Sequence, residues 1–88
     1  MTGMLRVADG VIFKQVGDEL VLLDFERGIY YGLDTIGARI WQVIADEKPV
    51  GEVVTELLEE YDVDRATLEN DITRLLDELR EKGLLVRT

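Results

Sequence analysis

The sequence predicts an α+β domain in which a three-stranded antiparallel sheet is followed by three helices. The first third of the chain contains short runs of β-branched, aromatic and aliphatic residues separated by glycine-containing turns. The remainder carries apolar residues at helical spacing, interrupted by capping residues, one proline and a late glycine. Because 88 residues suffice for one core, we expect a single domain over residues 1–88, with residues 1–10 as an N-terminal extension and the core at about 11–86.

The three predicted strands come first along the chain. Val11–Val16 and residues 20–25 are strand-like, and the intervening Gly17-Asp18 is typical of a two-residue hairpin turn. Ile29–Leu33 forms the third strand. The triplet Glu26-Arg27-Gly28 before it fits a three-residue loop with Gly28 at a positive φ.

These two loop lengths fix a register and therefore a core face. The first turn pairs Val16 with Glu19 and Ile12 with Leu23, and the second loop pairs Phe25 with Ile29, Leu23 with Tyr31 and Val21 with Leu33. We expect the following residues to face the core: Ile12, Val16, Val21, Leu23, Phe25, Ile29, Tyr31 and Leu33. The opposite face also carries apolar residues, namely Val11, Phe13, Leu20, Leu22 and Tyr30. Either Leu5 and Val7 cover that face, or it serves as a homodimer or enzyme-docking surface.

Three helices follow, each with a recognisable start. Asp34 or Thr35 caps the first, Pro49 occupies the first turn of the second, and Asp64 caps the third, which Gly83 ends. Their apolar faces are Ile36, Ile40, Trp41 and Ile44, then Val50, Val53, Val54, Leu57, Leu58 and Tyr61, then Leu68, Ile72, Leu75, Leu76 and Leu79. We expect Trp41 to be buried against the sheet and Leu84-Leu85-Val86 to pack back on the core.

The composition argues against several functions. Nineteen acidic residues oppose ten basic ones, giving a net charge of −9, and the basic residues do not cluster, so we expect no nucleic acid partner. The absence of histidine, serine and cysteine removes the commonest general base, two usual nucleophiles and thiolate ligands, so we expect no catalysis, metal or cofactor. No apolar stretch approaches the ~20 residues of a membrane span, and no secretory signal is recognisable, so we expect a cytoplasmic protein without a membrane partner.

The third strand lies at a sheet edge without the usual protection against further pairing. Ile29–Leu33 contains no lysine, no proline and no inward-pointing charge. In the predicted pairing, Tyr30 and Gly32 direct their N–H and C=O groups away from the second strand. An extended peptide could bind there as an added strand. The alternative is that a helix or Leu84-Leu85-Val86 covers this edge.

Several short motifs, taken in order, resemble the PqqD-like family. They are Val21-Leu22-Leu23-Asp24, Gly28-Ile29-Tyr30-Tyr31-Gly32-Leu33-Asp34, Gly37-Ala38-Arg39-Ile40-Trp41, Tyr61-Asp62-Val63-Asp64, Asp71-Ile72, and Leu75-Leu76-Asp77-Glu78-Leu79 followed by Gly83-Leu84-Leu85. The resemblance implies a winged-helix-like fold and the role of a peptide chaperone, or RiPP recognition element. Members bind the leader of a ribosomally made precursor peptide and deliver it to a maturation enzyme, which is a radical SAM protein in the pyrroloquinoline quinone pathway and a leader protease and cyclase in lasso-peptide pathways.

The resemblance also implies where the peptide is held, as an added strand beside the third strand and against the third helix. On this sequence the implied residues are Ile29, Tyr30, Tyr31, Gly32, Leu33, Leu68, Asp71, Ile72 and Leu75. The segment Tyr30-Tyr31-Gly32-Leu33-Asp34 is more similar to stand-alone and lasso-associated members than to the quinone-pathway proteins.

Two other functions stay open at this point. One is a protein–protein adaptor without a peptide ligand. The other is an acidic winged-helix DNA-binding regulator, which would need basic residues along a recognition helix. The second predicted helix instead carries Glu52, Glu56, Glu59 and Glu60 and no basic residue.

Overall fold

The computed structural model describes residues 5–87, which form five strands and three helices. The strands are β1 (Leu5–Val7), β2 (Val11–Val16), β3 (Glu19–Asp24), β4 (Ile29–Leu33) and β5 (Leu85–Arg87), and the helices are α1 (Thr35–Ala45), α2 (Val50–Glu60) and α3 (Arg65–Glu81). β2, β3 and β4 form one antiparallel sheet in that order, and β1 pairs with β5. The predicted α+β arrangement of a three-stranded sheet followed by three helices is confirmed. Within residues 5–87, no helix combines the length and apolar character that crossing a membrane requires.

The hairpin between β2 and β3 has the register that the sequence predicts. Val16 pairs with Glu19, and Ile12 pairs with Leu23. Gly17 has φ 64° in the two-residue turn, a left-handed conformation that glycine adopts without a steric penalty because it lacks a Cβ.

The register between β3 and β4 differs from the prediction by one residue. Tyr31 pairs with Leu22 and not with Leu23, so the loop consists of the four residues 25–28. Because side chains alternate along a strand, this shift exchanges the two faces of β3 relative to β4.

The longer loop has a physical cause in the side chain of Asp24. Its Oδ1 accepts a hydrogen bond from the Arg27 N–H at 3.2 Å, and its main-chain carbonyl accepts one from the Gly28 N–H at 2.7 Å. Asp24 therefore closes the loop one residue earlier than a strand that continued to Phe25 would. Gly28 has the predicted positive φ, at 68°.

The predicted core face is consequently wrong for β2 and β3. Leu20 and Leu22 are 1% and 0% exposed, whereas Ile12 and Val16 are 55% and 54% exposed. The sheet residues that pack on the core are Val11, Phe13, Leu20, Leu22, Tyr31 and Leu33. The β2 and β3 residues that were expected there, Ile12, Val16, Val21 and Leu23, lie on the opposite face, and Phe25 and Ile29 are also exposed.

The first helix packs on this face as expected. Trp41 is 0% exposed, and the Phe13 ring meets its indole edge-on, with ring centroids 5.7 Å apart. The Asp34 side chain caps α1 by accepting a hydrogen bond from the Gly37 N–H at 2.8 Å. Trp41 therefore links the helix to the sheet at the centre of the core.

The start and the end of α3 also match the prediction, whereas Pro49 is the N-cap of α2 and does not lie in its first turn as predicted. Pro49 precedes α2 in an extended conformation, and the Asp64 side chain accepts a hydrogen bond from the Thr67 N–H at 3.2 Å at the start of α3. Gly83 follows α3 with φ 77°.

The two ends of the described chain pair with each other. Leu5 pairs with Arg87 and Val7 with Leu85. Leu5 and Val7 also pack against the core that contains Leu20 and Leu22, the sheet face that they were expected to cover. Leu84 is fully buried, which confirms that the C-terminal segment packs on the core. Residues 1–4 of the predicted N-terminal extension lie outside the described residues.

Candidate functional site

The candidate site begins with the free edge of β4. This strand pairs with β3 on one side, and no strand of residues 5–87 pairs with its other side. Val16 and Glu19 close a two-residue turn as a hydrogen-bonded pair, so the odd residues of β3 bond to β2 and the even ones to β4. Since even residues of β3 pair with odd residues of β4, Tyr30 and Gly32 direct their N–H and C=O groups away from β3. This is the orientation that the sequence predicts.

The free edge of β4 is accessible along its length. Tyr30 is 69% exposed and Ile29 is 43% exposed. Gly32 is exposed too, and a Cβ added there would meet nothing within 4 Å. An extended chain can therefore approach the main chain of β4 without displacing a side chain at Gly32.

The C-terminal end of α3 stands next to β4. The Lys82 ammonium group lies 5.8 Å from the centroid of the Tyr31 ring, and the Lys82 carbonyl accepts a hydrogen bond from the Arg27 guanidinium at 3.1 Å. Leu75 and Asp71 precede Lys82 by seven and eleven residues and so share its side of the helix. We call the side formed by Asp71, Leu75 and Lys82 the β4 flank of α3.

The structure divides the predicted α3 residues into two groups. Leu68 and Ile72 are each 5% exposed and belong to the core. Leu75 is half-buried, and Asp71 is exposed with its carboxylate 3.8 Å from Arg74. Of these four residues, Leu75 and Asp71 have accessible side chains on the β4 flank of α3, whereas Leu68 and Ile72 are buried in the core.

On β4 the predicted residues divide in the same way. Ile29, Tyr30 and Gly32 are exposed, Tyr31 is half-buried beneath Lys82, and Leu33 is 8% exposed in the core. The peptide-binding role of all these residues stays a prediction.

Sequence reasoning did not single out Lys82 or Arg27. Both residues hold the β3–β4 loop and the Tyr31 ring against the end of α3. The seven-residue spacing from Leu75 to Lys82 was a usable signal, but nothing local indicated that Arg27 reaches the end of a helix 55 residues later.

The outer face of the sheet presents a row of apolar side chains that ends at this edge. Ile12 pairs with Leu23, and Leu23 pairs with Tyr30. Phe25, just beyond β3, is 70% exposed. A strand added beside β4 would lengthen this row, because the sheet would continue past Tyr30.

The closest ion pairs lie away from the edge, between α1 and α2. Arg39 contacts Glu56 at 2.8 Å and Glu60 at 2.7 Å. The hydrogen bond from Arg39 to Glu60, with further contributions from both carboxylates, raises the pKa of the guanidinium above its ordinary value, although burial opposes this. These contacts join two helices and supply no reactive group. In the part of the chain that the structure describes, no cluster of three or more His, Cys, Asp or Glu side chains could hold a metal ion.

The family model of coenzyme PQQ synthesis protein D, PqqD, matches residues 19–85 of the 88. The chain belongs to the PqqD family. The matched residues run from the start of β3 into β5 and so include the free edge of β4 and the whole of α3. No curated protein sequence matches the chain significantly.

Two solved structures are similar to this PqqD family member over nearly the whole chain. One is TbiB1 in complex with the TbiA(beta) leader peptide, with 40% identity over 91% of this chain and 93% of that chain and a TM-score of 0.83. The other is lasso peptide synthetase B1 complexed with the leader peptide, with 31% identity over 96% of this chain and 99% of that chain and a TM-score of 0.86.

Proposed function

We propose that this PqqD family member is a peptide chaperone that binds the leader segment of a ribosomally made precursor peptide as a strand beside β4. The observation that carries the proposal is the free edge itself, where Tyr30 and Gly32 direct main-chain donors and acceptors at solvent. Main-chain hydrogen bonds give an added strand its affinity, and side chains next to the edge give it specificity. The similarity to two proteins solved with leader peptides supports the same function.

The β4 flank of α3 forms the other wall of the proposed groove. A peptide beside β4 would place alternate side chains toward Tyr31 and toward Leu75, and the other alternate side chains beside Tyr30 on the outer face. Asp71 and Glu78 are exposed carboxylates on this wall and would favour a basic group on the peptide.

The partner in this proposal is the enzyme that modifies or cleaves the bound precursor. The similarity to lasso peptide synthetase B1 favours a lasso-type pathway, in which that partner is a leader protease or a cyclase, over a quinone-type pathway with a radical SAM enzyme. The chain itself would carry out no reaction, because it contains no histidine, serine or cysteine. A chain free of cysteine also suits the cytoplasm, where precursor peptides are made.

Amide hydrogen exchange tests this proposal without any substitution. The labelled chain is measured alone and with a candidate leader, taken from the short peptide encoded nearest to its gene. The Tyr30 and Gly32 amides should exchange rapidly in the free chain and slow by roughly 100-fold when the leader is at about 100 times Kd. The Tyr31 and Leu33 amides, which already bond within the sheet, should change little.

The comparison between neighbouring amides supplies its own control. A leader that binds but leaves the Tyr30 and Gly32 amides as exposed as before would refute strand addition at β4. A leader whose scrambled sequence gives the same protection would refute specific recognition.

A further inference from the structure

A cleft lies on the opposite side of α3 from the proposed groove. Its volume is ≈ 480 Å³, and it lies between the start of α2, the second half of α3 and the paired ends of β1 and β5. On α3 it is lined by Thr73, Leu76, Asp77 and Arg80, which are spaced three, four and seven residues apart and share one face of the helix. This face is distinct from the β4 flank of α3, so a peptide in the groove leaves the cleft free.

The cleft collects positive charge in a strongly acidic chain. Lys48, Arg80 and Arg87 are three of the ten basic residues, whereas Asp77 is one of nineteen acidic residues and the only one in the lining. Within residues 5–87, Lys48 and Arg87 form no ion pair, and Arg80 lies 3.8 Å from Asp77. A neighbouring depression beyond Arg80 and Arg87 adds Glu81. The rim of the cleft therefore offers cations that an external anion can pair with.

The floor of the cleft is apolar. It is formed by Leu5, Ile44, Val50 and Leu76, of which Ile44 is 2% exposed and the others are half-buried. A cavity of this size holds one or two side chains, as in pockets of about 300–1,000 Å³ that bind small ligands. Carboxylates over an apolar anchor match both features, whereas a nucleic acid would leave the floor unused and would be repelled by the net charge of −9.

We propose that this cleft docks an acidic segment, with one apolar anchor side chain, of the enzyme that receives the leader. The inference rests on the proposed function, because a chaperone must hold its peptide and its enzyme at the same time. The carboxylates would pair with Lys48 and Arg87, and the anchor would lie between Val50 and Leu76. Charge pairs of this kind chiefly set the rate and specificity of association, which suits a transient transfer step.

The test uses charge reversal of two exposed rim residues. The variant carrying Lys48→Glu and Arg87→Glu is compared with a control carrying Lys14→Glu and Arg65→Glu, which changes the net charge equally but outside the cleft. Binding to an immobilised candidate enzyme, the leader protease or cyclase encoded nearest to the gene of this chain, is measured by surface plasmon resonance at low and high salt. Leader affinity is measured separately by calorimetry.

At low salt the cleft variant should bind the enzyme at least about tenfold more weakly than the parent does. The affinity of the parent for the enzyme should fall as salt is added. Leader affinity should stay within about twofold, and the control should bind the enzyme like the parent. Unchanged enzyme binding by the cleft variant, or equal losses of enzyme binding in both variants, would overturn the inference. Binding of single-stranded RNA to the parent but not to the cleft variant would also overturn it. A parent that fails to bind the leader refutes the proposed function in the calorimetric arm alone, so the two failures are distinguishable.

Discussion

Proline substitution along β4 separates the edge that would bind a peptide from the edge that holds the sheet. Gly32→Pro removes an N–H that points at solvent, whereas Tyr31→Pro removes one that bonds to Leu22 in β3. Gly32 does not have a positive φ, and no neighbouring atom lies within 4 Å of the position that a Cβ would take, so the site has room for a larger residue. The two substitutions therefore have different expected outcomes at adjacent positions.

The magnitudes follow from one hydrogen bond in each case. Loss of an intermolecular bond at Gly32 costs about 0.5–1.5 kcal/mol, which weakens leader binding roughly two- to twelvefold. Folding stability should fall much less than for Tyr31→Pro, because no hydrogen bond within the sheet is lost. Tyr31→Pro leaves the buried Leu22 carbonyl unpaired, at about 1–3 kcal/mol, and removes the ring beneath Lys82. This loss is a large part of the free energy of unfolding, which is roughly 4–13 kcal/mol for a domain of this length.

Calorimetric titration with the leader and thermal melting of each variant measure the two effects. Gly32→Ala is the matched control, since it keeps the N–H and adds only a methyl group to open space, and it should bind within about twofold of the parent. A folded Gly32→Pro variant with unchanged leader affinity would remove the strand-addition mechanism. A Tyr31→Pro variant that melts like the parent would show that Tyr31 is not bonded within the sheet.

Three further predictions concern the scaffold. Trp41→Ala should cost about 3–5 kcal/mol in chemical unfolding, because Trp41 is 0% exposed, and parent fluorescence that is already solvent-like would contradict this burial. Arg39→Met should lower stability by about 1 kcal/mol, with a smaller difference at high salt; a loss independent of salt would show that the ion pairs with Glu56 and Glu60 are not its source. Asp24→Ala should cost about 1–2 kcal/mol and Asp24→Asn less, since the amide oxygen can still accept the loop hydrogen bond; equal losses would argue against loop closure by this side chain.

The sequence predicted the strands and helices well but not which face of the sheet is buried. Both faces of β2 and β3 carry alternating apolar residues, so the two-residue period could not choose between Leu22 and Leu23. The choice depended on the length of one loop, and there the Asp24 side chain closed the loop before Phe25. The turn at Gly17 was predictable because a two-residue loop that contains a glycine at positive φ is compatible with one hairpin register.

The pairing of β1 with β5 had no local signal at all. Each strand has only three residues, and their partners lie at opposite ends of the described chain. The apolar Leu5 and Val7 predicted packing against the sheet, which they show, but not that their main chain would pair with β5. The consequence for the site is that β5 is occupied with β1 and leaves the edge of β4 open.

The apolar stripe of α3 could not by itself locate the site, because such a stripe shows only which side of the helix faces the core. Leu68 and Ile72 follow that stripe and are buried, whereas Asp71 and Leu75 lie at its margin. Only the contact between Lys82 and Tyr31 identifies which margin faces β4. In a domain this small every helix packs on the core. The α3 residues beside a groove at β4 would therefore be next to α3 residues that are buried in the core. The opposite margin of the same helix lines the cleft, so in the two proposals α3 would contact the peptide and the enzyme on separate sides.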